Sequence, residues 1–65
     1  MEAKLRYEQN KIIVIQYGLF VRCSVTNEII YPEDIRYWNV ERQEVYASAK
    51  ISLDRELEIR GYSGK

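Results

Sequence analysis

The chain has 65 residues, 46% of them hydrophobic, with six Tyr, one Trp, one Cys and no His, and its ten basic and ten acidic residues cancel. That length makes a single small domain over 1–65, and one cysteine without histidine excludes both an internal disulfide and a Cys/His zinc site within one chain. No stretch approaches the ~18 apolar residues of a membrane span, and "MEAKLRYEQN" lacks the basic start and apolar run of a secretory signal; with the unpaired thiol this points to a reducing, cytoplasmic setting.

"AKLRYEQNKIIVIQY" reads as a β-hairpin. Leu5 and Tyr7 share a face, "IIVIQY" is β-branched enough for a second strand, and Gln9-Asn10 turns the chain, Asn tolerating a left-handed backbone. Gly18 breaks the run. "LFVRCSVT" alternates, with Leu19, Val21, Cys23 and Val25 on one face and Phe20, Arg22, Ser24 and Thr26 on the other. Asn27-Glu28 is a turn, "IIY" is a short strand, and Pro32 opens a polar corner with one helical turn.

From Asn39 the period changes. Asn39 is a suitable N-cap, Glu41 places negative charge in a first turn, and Val45, Ala49, Leu53 and Leu57 recur every four residues, with Ile51 and Ile59 off the stripe. This predicts a helix over 40–49 and a further helical stretch to Ile59, although "ELEIR" also fits strand alternation. Residues 3–59 are expected to be ordered and 60–65 to form a frayed tail. The expected class is α+β: an antiparallel meander of three or four short strands followed by one C-terminal helix. Its expected core is Leu5, Ile12, Val14, Val21, Cys23, Val25, Ile30, Trp38, Val45, Ala49 and Leu53.

The chain holds no catalytic set. A reactive Cys23 needs a base or a cation beside it, there is no histidine, and its phase with Val21 and Val25 reads as a core thiol. Glu28, Glu33, Asp34, Glu41 and Glu44 lie in turns or on an outer face and read as solvated surface. Three glycines build no phosphate loop. An enzyme, a cofactor and a bound metal are therefore not expected. "IRYWNVERQEVY" interleaves aromatics with arginine, as interaction hot spots do. Trp38 reads as an anchor for the core, and Arg36, Tyr37, Arg42 and Tyr46 form the expected interaction surface. Charges are spread evenly, with no basic stripe of the kind phosphate binding draws on. The expected function is a non-catalytic protein-interaction module, open to self-association. The alternative is a small nucleic-acid-binding module stacking bases on the same aromatic and arginine residues.

"AKLRY", "FVRCSVT", "RYWNVERQE" and "YAS" together resemble a family of short bacterial proteins, known from alphaproteobacteria, that is a domain of unknown function. The likeness runs from about Ala3 to Leu53 and is most specific over residues 36–48; it implies no activity. The family has Gly where Asn27 stands, so the turn carries a backbone penalty that Asn tolerates. The spacing of "CSVTN" also resembles the knuckle of a treble-clef zinc finger, written C-x-x-C-G. Cys23 and Thr26 match its first ligand pair, and Asn39 and Gln43 are placed where the second pair, at a helix start, would lie. Three of four ligands are missing, which implies a treble-clef-like fold without zinc whose Thr and Asn side chains close the turn.

Overall fold

The computed structural model describes residues 1–61. Among these, six short strands and one helix follow each other in the order β1 (Lys4–Tyr7), β2 (Ile12–Gln16), β3 (Val21–Arg22), β4 (Ile29–Ile30), β5 (Tyr37–Asn39), β6 (Glu44–Tyr46) and α1 (Ala49–Ile59). The class is α+β, with strands first and one C-terminal helix. The expected single meander is instead three separate antiparallel pairs, β1–β2, β3–β4 and β5–β6. Each pair is a local hairpin, and strands of two to five residues offer too short a ladder to zip into one continuous sheet.

Side-chain bridges join the hairpins. Tyr7 opposes Ile12 and Leu5 opposes Val14 in β1–β2, with a bulge between Lys4 and Leu5. The connecting loop closes with the Glu8 N–H donating to the Lys11 carbonyl at 2.9 Å, and Asn10 keeps a negative φ, so the left-handed turn expected there is not used. The Ala3 N–H donates to the Phe20 carbonyl at 2.7 Å and the Leu19 N–H to that of Met1 at 2.8 Å, tying the N-terminus across Gly18. A Cβ at Gly18 would collide with the Ala3 backbone, so this crossing requires glycine. Pro32–Asp34 form one 3-10 turn with Pro at its start, as expected of the polar corner.

The largest correction lies between Asn39 and Ala49. Residues 40–46 are not helical; Tyr37 opposes Tyr46, Trp38 opposes Val45 and Asn39 opposes Glu44 across a hairpin. The helix begins after Ser48, whose Oγ accepts from the Ile51 N–H at 3.2 Å. It closes after Arg60, with Gly61 at φ 85° donating its N–H to the Glu58 carbonyl, the glycine cap that ends many helices. Arg60 and Gly61 thus belong to the helix end, and residues 62–65 of the expected tail lie outside the described residues.

The core is small: Ala3, Tyr7, Val21, Cys23, Ile30, Ile35 and Val45 are buried in one cluster, flanked by Leu5, Ile12, Trp38 and Ile51. Of the expected core, Val14, Val25, Ala49 and Leu53 are exposed. Val14 opposes Leu5 on the same face as Ile12 and Tyr7 but lies past the edge of the packed cluster, and the knuckle turn takes Val25 out of strand phase. Ala49 and Leu53 depended on a helical phase that starts too early; the residue of α1 that reaches the core is Ile51, which that phase had set aside.

Candidate functional site

The turn after β3 has the spacing of a zinc-type knuckle and closes on Cys23 through hydrogen bonds. The Cys23 N–H donates to the Glu28 carbonyl at 2.8 Å, the Asn27 N–H to the Cys23 carbonyl at 2.9 Å, and the Thr26 N–H to the Cys23 sulfur at 3.5 Å. Asn27 adopts φ 67°, the left-handed conformation for which glycine is the easiest occupant. The Thr26 hydroxyl donates its one proton to the Glu28 carboxylate at 2.8 Å. Arg22 lies 5.3 Å from the Phe20 ring centroid and donates to the Asn27 carbonyl at 3.1 Å. Burial works against a thiolate at Cys23, but hydrogen bonds from Thr26 and from the amides of Val25 and Ala47 outweigh it and pull its pKa below the ordinary value. Backbone amides are the donors to credit, because the Thr26 hydroxyl is already committed to Glu28.

The β5–β6 turn repeats the arrangement. Asn39 Oδ1 accepts from the Arg42 N–H, three residues on, at 2.7 Å, and Gln43, four residues on, has φ 53°. Asn39 takes the place of Cys23 and Gln43 that of Asn27. Asn39 and Gln43 therefore do not sit at a helix start, where the treble-clef likeness had placed them. The chain order is knuckle, hairpin, helix, and the residue just before the helix that meets Cys23 is Ala47. Among the described residues no group of three or more His, Cys, Asp or Glu side chains is close enough to hold a metal ion.

Of the expected surface residues, Tyr46 is buried at 2% exposure and offers no surface at all. Its hydroxyl donates to Glu44 Oε1 at 2.7 Å. Arg42 donates to Glu44 at 3.4 Å and Glu56 at 3.1 Å, and Arg55 meets Glu44 at 3.0 Å. The Arg42–Glu56 and Arg55–Glu44 pairs cross from the β5–β6 hairpin to α1 and help hold the helix, whose Ile51 packs on the core. Arg36 lies elsewhere, donating to the carbonyls of Glu33 and Ile35, and Tyr37 is exposed beside it. The four residues do not form one surface, since two of them serve the helix dock.

Arg55 foremost, with Tyr46 and Arg42, holds the Glu44 carboxyl below the usual carboxylate range against the opposing effect of burial. Arg42, then Arg60, does the same for Glu56. A folded pKa below the unfolded one supplies stability that is present above the ordinary carboxylate range and is lost as pH falls through the folded value. Glu44→Gln should therefore be less stable than the parent at neutral pH by about 1–2 kcal/mol, allowing for partial solvent screening. The difference should shrink on acidification. Thermal melts of both proteins from pH 7 downward check this, and a gap that stays constant refutes the assignment.

One cleft of about 400 Å³ opens between Leu5, Tyr7, Ile15, Val40 and Gln43. Both amide hydrogens of Gln43 are taken, by the carbonyls of Tyr7 and Val40, and Arg6 pairs with Glu8 at the rim. The cleft therefore lacks the convergent free polar groups that orient a small ligand. An uncovered apolar feature adjoins it. Within and just beyond β2, Ile15 is 64% exposed, Tyr17 85% and Leu19 73%, and Ile13 and Val14 are also exposed. The sequence predicts a second strand here and places only Val14 of these residues in the core. The signal for their exposure was available: "IIVIQY" is apolar at consecutive positions, so both faces of a strand would be apolar, whereas one two-stranded hairpin can bury only one.

No helix of the described residues is long and apolar enough to cross a membrane. Residues 14–55 match a family described as an uncharacterized protein conserved in bacteria, DUF2093. No curated protein and no solved structure matches the chain.

Proposed function

The chain belongs to this bacterial family, whose description carries no activity, and from that premise we propose that it is a non-catalytic protein-interaction module of the cytoplasm. The observation that carries the reading is the uncovered apolar run from Ile13 to Leu19. Exposed large apolar side chains gathered in one segment mark interaction sites. The free, buried thiol of Cys23 suits a reducing compartment and needs no metal. Ion pairing of Arg42 with Glu44 and Glu56 withdraws its charge from a phosphate and weighs against the nucleic-acid alternative.

Affinity capture from lysate of the native bacterium, with and without nuclease, tests this. The expected result is a protein partner retained after nuclease treatment and raised salt, and lost with Ile15→Lys. Capture that disappears with nuclease or falls steeply with ionic strength overturns the reading in favour of nucleic acid.

A further inference from the structure

We propose that the occupant of the exposed β2 edge is a second copy of this chain, joined strand to strand about a two-fold axis. The inference rests on the interaction-module reading and names its partner. The two edges of the β1–β2 hairpin differ. The outer edge of β1 is covered: Gln43 Oε1 accepts from the Tyr7 N–H at 2.9 Å, Gln43 Nε2 donates to the Tyr7 carbonyl at 2.8 Å, and Ala3 bonds to Phe20. On β2, among the described residues, no backbone hydrogen bond beyond the ladder to β1 engages Ile12–Gln16. Because the Tyr7 backbone groups point away from β2, Tyr7 and its partner Ile12 form a non-hydrogen-bonded pair. By alternation Leu5 and Val14 do too, so the N–H and C=O groups of Ile12 and Val14 face outward. An unpaired edge of this kind is a template for another strand.

Three features select a second copy. The first is self-complementarity: with the axis at Ile13, Ile12 faces Val14 of the copy in a hydrogen-bonded pair and Ile13 faces itself, as an isologous interface requires. The second is charge. Ile12–Tyr17 carry none, Lys11 falls opposite Ile15 of the copy and not opposite another lysine, and the chain as a whole has net charge zero, so two copies do not repel. The third is area. The exposed parts of Ile13, Val14, Ile15, Tyr17 and Leu19 amount to roughly 500 Å² at the usual sizes of such side chains, before the backbone is counted. Neighbouring residues alternate between the two faces of the strand, so edge pairing covers only part of that area, short of the about 800 Å² per partner of a standard interface, and this suits a weak, concentration-dependent dimer. The bulge lies beyond Val14 and leaves Ile12–Val14 regular.

Light scattering coupled to gel filtration at micromolar and millimolar loading, with amide hydrogen exchange at the same concentrations, tests the proposal on the full chain. The expected result is a monomer that becomes a dimer as concentration rises, with the Ile12 and Val14 amides gaining protection only in the dimer. Ile13→Lys should weaken dimerisation by about tenfold or more, because two lysines then meet across the axis. Its far-UV circular dichroism should stay that of the parent; the exchange pattern of the parent decides the matter if this variant fails to fold. A parent that stays monomeric at every loading overturns the proposal, as does a dimer that leaves Ile12 and Val14 unprotected. A monomer that still captures a different protein through Ile15 leaves the interaction-module reading standing, whereas a monomer that captures nothing removes both.

Discussion

Tyr46→Ala should remove about half or more of the domain's stability and lower its urea midpoint accordingly. Tyr46 is the largest fully buried side chain, yet it lies apart from the main cluster. Val45 points into that cluster, and its neighbour on β6 points the other way. Glu44 and Tyr46 share the face from which Glu44 reaches Arg55 of α1, so the Tyr46 ring is the apolar element beneath the helix. No residue of α1 is itself fully buried. Truncating a buried aromatic residue costs about 3–5 kcal/mol, and a domain of this size holds in total about 3–10 kcal/mol. Tyr46→Phe keeps the ring and loses only the hydroxyl bonded to Glu44, which should cost about 1 kcal/mol. Urea unfolding followed by circular dichroism separates the two. An Ala variant that unfolds cooperatively near the parent's midpoint would show that the helix is held by its ion pairs alone.

The same region shows why the helix boundary was illegible in sequence while the knuckle was not. At the knuckle, local chemistry is decisive: Cys23 in strand phase, a polar residue three positions on and Asn27 at the left-handed position specify one turn. At Asn39 the local chemistry is shared by two structures. A side-chain oxygen accepting the amide three residues later is what an N-cap does, and it is what Asn39 does here in a hairpin turn. The four-residue recurrence of Val45, Ala49, Leu53 and Leu57 then lent the wrong reading a helical phase. Ser48, followed by "AKISLDREL", is the true start, and its signal was no weaker than that of Asn39. What told them apart was long-range: Gln43 reaching Tyr7, 36 residues away, and Ser24 exchanging backbone and side-chain bonds with Val45. The helix dock was hidden for a related reason. It rests on Glu44–Arg55 and Arg42–Glu56, which in sequence look like the solvated charges of any helix. The exposed β2 run was legible in the four consecutive apolar residues Ile12–Ile15, but its free edge was not, because that depends on which strand Gln43 covers.

Gln43 also allows backbone strain to be separated from bridging. Its φ of 53° is one that glycine adopts most easily, so if the turn alone mattered, Gln43→Gly would stabilise the fold by about 1 kcal/mol. The side chain does more. Its amide holds both the N–H and the carbonyl of Tyr7, at 2.9 and 2.8 Å, as a neighbouring strand would. It joins the β1–β2 hairpin to the β5–β6 hairpin beside the Trp38 Nε1–H, which donates to the Glu8 carbonyl at 2.8 Å, and the Tyr7–Trp38 ring stack at 6.3 Å. Tyr7 is buried, so water does not readily replace the lost partner, and two unsatisfied backbone groups should cost about 2–4 kcal/mol. The loss exceeds the relief. Gln43→Gly should be less stable than the parent by roughly 1–3 kcal/mol, and Gln43→Ala, which gains no backbone relief, should be less stable still. Denaturant midpoints give the ranking, and hydrogen exchange at the Tyr7 amide should speed up in both variants. A glycine variant as stable as the parent would reduce Gln43 to a turn residue and leave the two hairpins joined by Trp38 and the shared core alone.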